Sequence, residues 1–324
     1  MALTNKLDAI GDAIRRKNGE TDKYTLPQMV EKIDALPTGG DAYISVDKDW
    51  NMTGTIAAID AYFTNSGTES KNPALQKNVA SLKLDKATSV GQYAFYCCKN
   101  LTSVDMAACK SVDNYAFGFC SSLATISFPA CTSIGTYAFS SCSKLTTLDF
   151  PACTSVGQYA FASCTALTTL NFPACTSVGA DAFKTNRVNS VNFPKLKAIP
   201  NKTNGTSYYG FLQNSQIVTA SFPACTSIGT YAFGSCSKLT TLDFSVCTSI
   251  QALAFGGSTA FTTLILRSET VATLGNVSAF TSTPIADGTG YIYVPDALVD
   301  SYKTATNWVT YAAQIKPLSE LPTS

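Results

Sequence analysis

The chain has 324 residues, 45% of them apolar and 14% charged, a balance that excludes an intrinsically disordered protein. Its net charge of +1 provides no global attraction to nucleic acid or to an anionic membrane. It contains no histidine, which removes Ser-His-Asp and Cys-His catalysis together with His-ligated metals.

Residues 1–40 read as a helical module followed by a hinge. Leu3, Leu7, Ile10 and Ile14 recur at helical spacing and stop near Asn18-Gly19. Thr25-Leu-Pro-Gln28 makes a capping box with proline in the first turn, opening a second helix through Val30, Ile33 and Leu36. Pro37-Thr-Gly-Gly40 is the hinge. Two short amphipathic helices bury little alone, so the module is expected to dock on the solenoid or to assemble with another chain. It resembles the helical module heading many phage and prophage structural proteins of Gram-positive bacteria, particularly tail-associated ones. Charged residues stand where an export signal needs its apolar segment, so no Sec-type signal is predicted. That places the chain in the cytoplasm as synthesised, or on a phage particle or cell surface by another route. No apolar run approaches the roughly 18 residues of a membrane span.

Residues 41–78 read as an N-terminal cap, with a strand at Tyr43-Ile-Ser-Val46 and a helix from Ile56 to Phe63. From 79 to 281 the chain repeats. Tyr93-Ala-Phe95, Tyr115-Ala-Phe117, Tyr137-Ala-Phe139, Tyr159-Ala-Phe161 and Asp181-Ala-Phe183 follow one another at 22-residue steps. After a 28-residue step come Tyr209-Gly-Phe211, Tyr231-Ala-Phe233 and Leu253-Ala-Phe255, then a degenerate Ser278-Ala-Phe280, which makes nine coils.

Within one unit, Leu145, Leu148 and Phe150 have the L-x-x-L-x-L spacing of a short strand. Leu148 and Phe150 point inward, while Thr147 and Asp149 point out. Cys153, Val156, Ala160, Phe161 and Cys164 complete the inward set. No coil buries this face alone, so the coils must stack into a continuous core.

The recurring LTxLxFPACTSIGxYAFxxCSxL pattern resembles the BspA-like leucine-rich repeats of bacterial surface and phage-related proteins, from about Val79 to Phe280. The resemblance implies an α/β repeat solenoid, right-handed and curved, with short parallel strands in 22-residue coils. It also implies a non-enzymatic role in recognition or adhesion. Residues 282–324, with strand Ile292-Tyr-Val294 and helices after Pro295 and Asn307, resemble the mixed cap that closes such arrays.

Eleven of the twelve cysteines fall on an 11-residue step, from Cys98 to Cys175 and from Cys225 to Cys247. That step stacks them in two rows, where they read as small buried hydrophobes. Disulfides between neighbouring coils are the rival reading, since strand spacing lies within the range a disulfide tolerates. No C-x-x-C pair accompanies them, so no zinc or other cofactor is expected.

The open strand face carries Thr102, Ser103, Asp105, Thr147, Asp149, Thr169, Asn171, Asn192 and Asp243, polar throughout and without an aromatic ring. Asp105 and Asp149 stand two coils apart, about 10 Å by strand spacing, near the upper separation for an inverting glycosidase. An open sheet excludes no water and supplies no apolar pocket, so a carbohydrate-active enzyme is only a distant alternative. The interruption between Phe183 and Phe211 carries Lys184, Arg187, Lys195, Lys197 and Lys202 in a stretch with no acidic residue, Ala182 to Leu242. Candidate partner-binding residues are thus Asp105, Asp149, Asn171 and Asn192 on the strands, and these five basic residues at the interruption. The expected partner is a protein or polysaccharide at a bacterial or host surface. A phage or prophage tail-associated host-recognition protein is the alternative.

Overall fold

The computed structural model describes residues 44–46, 51–54, 79–201 and 216–322, the first two stretches as backbone only. The helices expected in residues 1–40 and at Ile56–Phe63 lie outside the described residues, as does Lys202.

Two strands lead in: β1 (Ile44–Val46) pairs antiparallel with β2 (Asn51–Gly54), which pairs parallel with the first strand of the array. Each coil then contributes a longer and a shorter strand. In chain order these are β3 (Ser81–Leu84) and β4 (Ser89–Val90), β5 (Ser103–Asp105) and β6 (Ser111–Val112), β7 (Thr125–Ser127) and β8 (Ser133–Ile134). Next come β9 (Thr147–Asp149) and β10 (Ser155–Val156), β11 (Thr169–Asn171) and β12 (Ser177–Val178), β13 (Ser190–Asn192) and β14 (Ala198–Ile199). The array ends with β15 (Thr219–Ser221) and β16 (Ser227–Ile228), β17 (Thr241–Phe244) and β18 (Ser249–Ile250), β19 (Thr263–Leu266) and β20 (Thr273–Leu274). Strand β21 (Tyr291–Val294) pairs parallel with β19, and β22 (Ile315–Pro317) with β21. The molecule is a parallel β-solenoid of about ten coils. The Tyr-Ala-Phe motif counts nine because the coil that β21 closes lacks it.

Of the expected α/β repeat solenoid, the described residues show the parallel strands and little helix. The described residues hold a single α-helix, α1 (Val299–Thr304), and short 3-10 turns, all in the last fifty residues. From a shorter strand to the next longer one the chain returns through turns, because in most described coils this segment holds two residues in the left-handed region, such as Tyr137 (φ 56) and Ser141 (φ 62). No α-helix tolerates that backbone.

The repeat's residue types follow from the coil geometry. Inward Leu148 and Phe150 are buried, while Thr147 and Asp149 are exposed. Glycine is required at the bend after the shorter strand, because a Cβ on Gly157 would lie 2.5 Å from the Gly135 carbonyl carbon. Threonine is selected at the opposite corner. Thr154 donates its hydroxyl to the Thr132 carbonyl oxygen (3.1 Å), and Thr176 does the same to Thr154 (3.2 Å).

Two phenylalanine rows fill the core. Phe95, Phe117, Phe139, Phe161 and Phe183 stack at 5.1–5.7 Å. Phe128, Phe150, Phe172 and Phe193 stack at 5.4–6.1 Å beside them, meeting the first row edge-on or tilted. Eleven cysteines are buried with them, and every cysteine is a free thiol. Cys153 and Cys164 represent the two rows: Cys153 donates to the Ser155 carbonyl oxygen, and Cys164 to that of Phe139 (both 3.2 Å). Cys97 alone stands outside the rows, half-exposed.

The 28-residue interruption resolves into a short coil and a long one. β13 starts 21 residues after β11, and β15 starts 29 after β13. The shorter-strand ladder breaks there into β4–β12 and β14–β20. At the far end the cap satisfies backbone groups that no further coil could pair. Trp308 Nε1 donates to the Ala272 carbonyl oxygen (2.6 Å), the Ala272 N–H donates to the Tyr302 hydroxyl (2.9 Å), and Asn307 Nδ2 donates to the Leu274 carbonyl oxygen (2.6 Å).

Candidate partner-binding surface

The longer strands line up their outward residues in one row. Lys83, Asp105 and Ser127 are register partners on β3, β5 and β7. Asp149 and Asn171 are partners on β9 and β11, and Asn192 and Ser221 on β13 and β15. The four sequence-nominated strand residues thus share one face. Asp149, Asn171 and Asn192 are exposed and Asp105 is half-buried. Asn171 Nδ2 donates to Asp149 Oδ1 at 2.7 Å, so two of the four form a direct pair. Asp105 and Asp149 stay on separate strands with β7 between them.

Threonines on this side are tied down more than a solvated strand residue needs to be. Thr102, Thr168 and Thr262 each donate their hydroxyl to a carbonyl oxygen of the preceding coil, on Ala80, Thr146 and Thr240. The hydroxyl row therefore stitches the coils together as well as facing water.

The described basic residues of the interruption flank β13. Lys184 and Arg187 lie on the turn leading into β13, whereas Lys195 and Lys197 lie on the turn leaving it. Lys197 takes the corner position that threonine holds in other coils, its carbonyl oxygen accepting from the Thr226 hydroxyl (3.0 Å). Within the first of these turns, between Lys184 and Arg187, the Asn186 side chain fills a cysteine position. It is 7% exposed, and neither of its amide atoms has a hydrogen-bond partner.

The expectation of an aromatic-free strand face also needs correction. β21 continues the row, placing Tyr291 beside Thr263 and Tyr293 beside Ile265. Lys316 Nζ sits 4.6 Å above the Tyr291 ring and bonds Glu320 at 3.2 Å. Next along the face, the Arg267 guanidinium grips the Asp243 carboxylate through Nε and Nη2 at 2.8–3.0 Å. That hydrogen bond raises the Arg267 pKa further. Sequence reading missed Arg267, Tyr291, Tyr293 and Lys316 because these coils lack the Tyr-Ala-Phe marker. The Y-I-Y-V alternation after Gly290 was the available signal.

A second aromatic feature lies away from the strands. Tyr93, Tyr115, Tyr137 and Tyr159, one per coil, stack at 4.7–4.8 Å with interplanar angles of 12–14°. Tyr96 and the 43%-exposed Phe119 meet edge-on at 5.5 Å beside the first rungs.

Among the described residues no group of three or more His, Cys, Asp or Glu side chains could hold a metal ion, and no helix is long and apolar enough to cross a membrane.

Comparison with known proteins places this geometry. The BspA type leucine-rich repeat region matches in six copies over residues 88–207 and 196–285. No curated protein matches the chain. Similar solved structures include the T. pallidum leucine-rich repeat protein, 20% identical, covering 63% of this chain and 90% of that one with a TM-score of 0.42. A leucine-rich cell surface protein from Faecalibacterium prausnitzii is 16% identical, covering 86% and 99% with a TM-score of 0.34. The repeat match alone spans more than half of the sequence, with its glycines, cysteines and phenylalanines in the stacking positions described above. The chain belongs to the BspA-type leucine-rich repeat family.

Proposed function

We propose that this chain is a non-enzymatic recognition protein that binds a protein or polysaccharide at a bacterial or host surface through its strand face. Proteins of this repeat family are generally surface or adhesion proteins that bind partners, and the solenoid fold is typically non-enzymatic. The observation that carries the reading is the C-terminal part of the face. There Tyr291 and Arg267, held by Lys316 and Asp243, supply two of the residue types that dominate binding hot spots. The Asp149–Asn171 pair extends the same face with hydrogen-bonding groups suited to hydroxyls or amides. Asp105 and Asn192 lengthen it. Lys184, Arg187, Lys195, Lys197 and Lys202 form a separate candidate surface for an anionic partner.

The test is binding of the full chain to panels of cell-wall polysaccharides and surface proteins, followed by variants of each region. Tyr291→Ala with Arg267→Ala, or Asp149→Ala with Asn171→Ala, is expected to weaken binding at least tenfold, about 1.4 kcal/mol. Serine at the five basic positions should leave it unchanged. Loss only in the basic-residue variant moves the site to the interruption. A partner bound equally by all three variants refutes the strand-face reading.

A further inference from the structure

The tyrosine row has no part in the proposed binding face. Each of its members is half-buried, and each occupies the left-handed backbone region (φ 56–58) at the same place in its coil. The Tyr115 and Tyr137 N–H groups donate to Thr136 and Gln158 of the next coil, which keeps the pitch of the row equal to the pitch of the coils. The result is four phenols held in parallel at 4.7–4.8 Å. The other described tyrosine pairs lack this arrangement. Tyr93 and Tyr96 meet at 83°, and Tyr291 and Tyr293 at 6.4 Å and 58°.

We propose that this row is an oxidative cross-linking site, at which a peroxidase-type one-electron oxidant joins stacked tyrosines of neighbouring coils as dityrosine. Each of two adjacent phenols gives up one electron and its hydroxyl proton to the oxidant. A carbon–carbon bond then forms between ring positions ortho to the two oxygens. The two ortho hydrogens move as protons to the oxygens, which restores both phenols. One hydrogen peroxide accepts the two electrons and two protons and becomes two waters. The product staples residues 22 apart, hence one coil to the next, and opposes splaying of the solenoid.

The surroundings favour this chemistry over thiol oxidation. Burial pushes Cys153 and Cys164 up to about 12 and Cys131 up to about 11, so the core thiols remain protonated, the form that reacts poorly with peroxide. Only half-exposed Cys97, beside Tyr96, competes.

The test treats the full chain carrying Cys97→Ser with hydrogen peroxide and a haem peroxidase. Readouts are dityrosine fluorescence, the mass of the monomeric chain and the cross-linked peptides. The expected product is a monomer lighter by two hydrogens per link, with links Tyr93–Tyr115, Tyr115–Tyr137 or Tyr137–Tyr159 and a raised denaturation midpoint. Tyr115→Phe with Tyr137→Phe keeps the stacked rings but leaves no adjacent phenol pair within the row, only the edge-on Tyr93–Tyr96 contact, so fluorescence should fall several-fold. Tyr93→Phe with Tyr159→Phe preserves the central pair and should retain the product. Links that map elsewhere, purely intermolecular products, or equal yield from the first variant would each overturn the proposal.

Discussion

Phe193 and Phe222, 29 residues apart, stack at 6.1 Å with their planes 1° from parallel. Every other step in that row spans 21 or 22 residues, so the core runs past the interruption without a gap. Phe222→Ala is therefore expected to cost about 3–5 kcal/mol, as for a phenylalanine deep in any core. Urea denaturation of both single variants and the double variant should show the two losses adding to more than the double variant loses, because the rings touch. Strict additivity would mean that the row is broken at the interruption.

Asn186 stands one coil after Cys164, in the row where a buried thiol or hydroxyl is the rule. Ser258 holds the same row farther on, donating its hydroxyl to the Phe233 carbonyl oxygen at 2.6 Å. A buried amide without partners costs about 1–3 kcal/mol relative to one that is satisfied. Asn186→Cys should accordingly raise stability by about 1 kcal/mol or more in chemical denaturation. A loss of stability would show that the amide is bonded in solution.

Gly157 and Gly179 allow successive coils to touch. A Cβ on Gly179 would lie 2.4 Å from the Gln158 backbone nitrogen, a contact no flexible side chain relieves. Gly179→Ala should destabilise by about 2–3 kcal/mol, as overpacking of rigid backbone does, whereas Gly288→Ala meets only the end of the Gln314 side chain and costs about 1–2 kcal/mol through its left-handed backbone (φ 83) instead. Calorimetric melting of the two variants would distinguish backbone clash from loss of flexibility. Equal shifts count against the clash.

The buried thiols set an alkaline limit. In the folded chain burial pushes Cys153, Cys164 and Cys247 up to about 12, against 9.0 for the solvent-exposed thiol of an unfolded chain. Unfolded thiols thus release protons first as pH rises, and each release favours unfolding. The contribution is intact below pH 9 and is lost between pH 9 and 12. Tyr115 and Tyr137, also raised by burial, act in the same direction above pH 10. Melting temperature should be flat from pH 6 to 8 and fall steeply from pH 9 upward. At pH 8 a thiol reagent should modify Cys97 alone in the native chain and all twelve cysteines after denaturation. Fast native labelling of Cys153 would contradict the buried row.

Much of this arrangement is written in local spacing. Leu145, Leu148, Phe150, Cys153, Val156, Phe161 and Cys164 announce a coil because seven apolar residues at those offsets satisfy neither a helix face nor a long strand. The strand-face positions of Asp105, Asp149, Asn171 and Asn192 follow from the same offsets. Less legible were Arg267, Tyr291 and Lys316, whose place on that face depends on pairing between coils that have lost the repeat motif. The turn backbone of each repeat was illegible for a different reason. Left-handed residues such as Tyr137 and Ser141 are neither glycine nor asparagine, so nothing in their identity marks the turn.

Sequence by itself determined that the chain stacks 22-residue coils around phenylalanine and cysteine, since a one-sided apolar coil is soluble only when its neighbours cover it. Tertiary structure alone decided what those coils present to solvent. Whether Tyr93 and Tyr115 stack, whether Asp149 meets Asn171, and whether Lys184 and Lys195 share a side all depend on neighbours one or more coils away. Those neighbours are set by coil pitch and backbone hydrogen bonds, and residue order within a single repeat does not specify them.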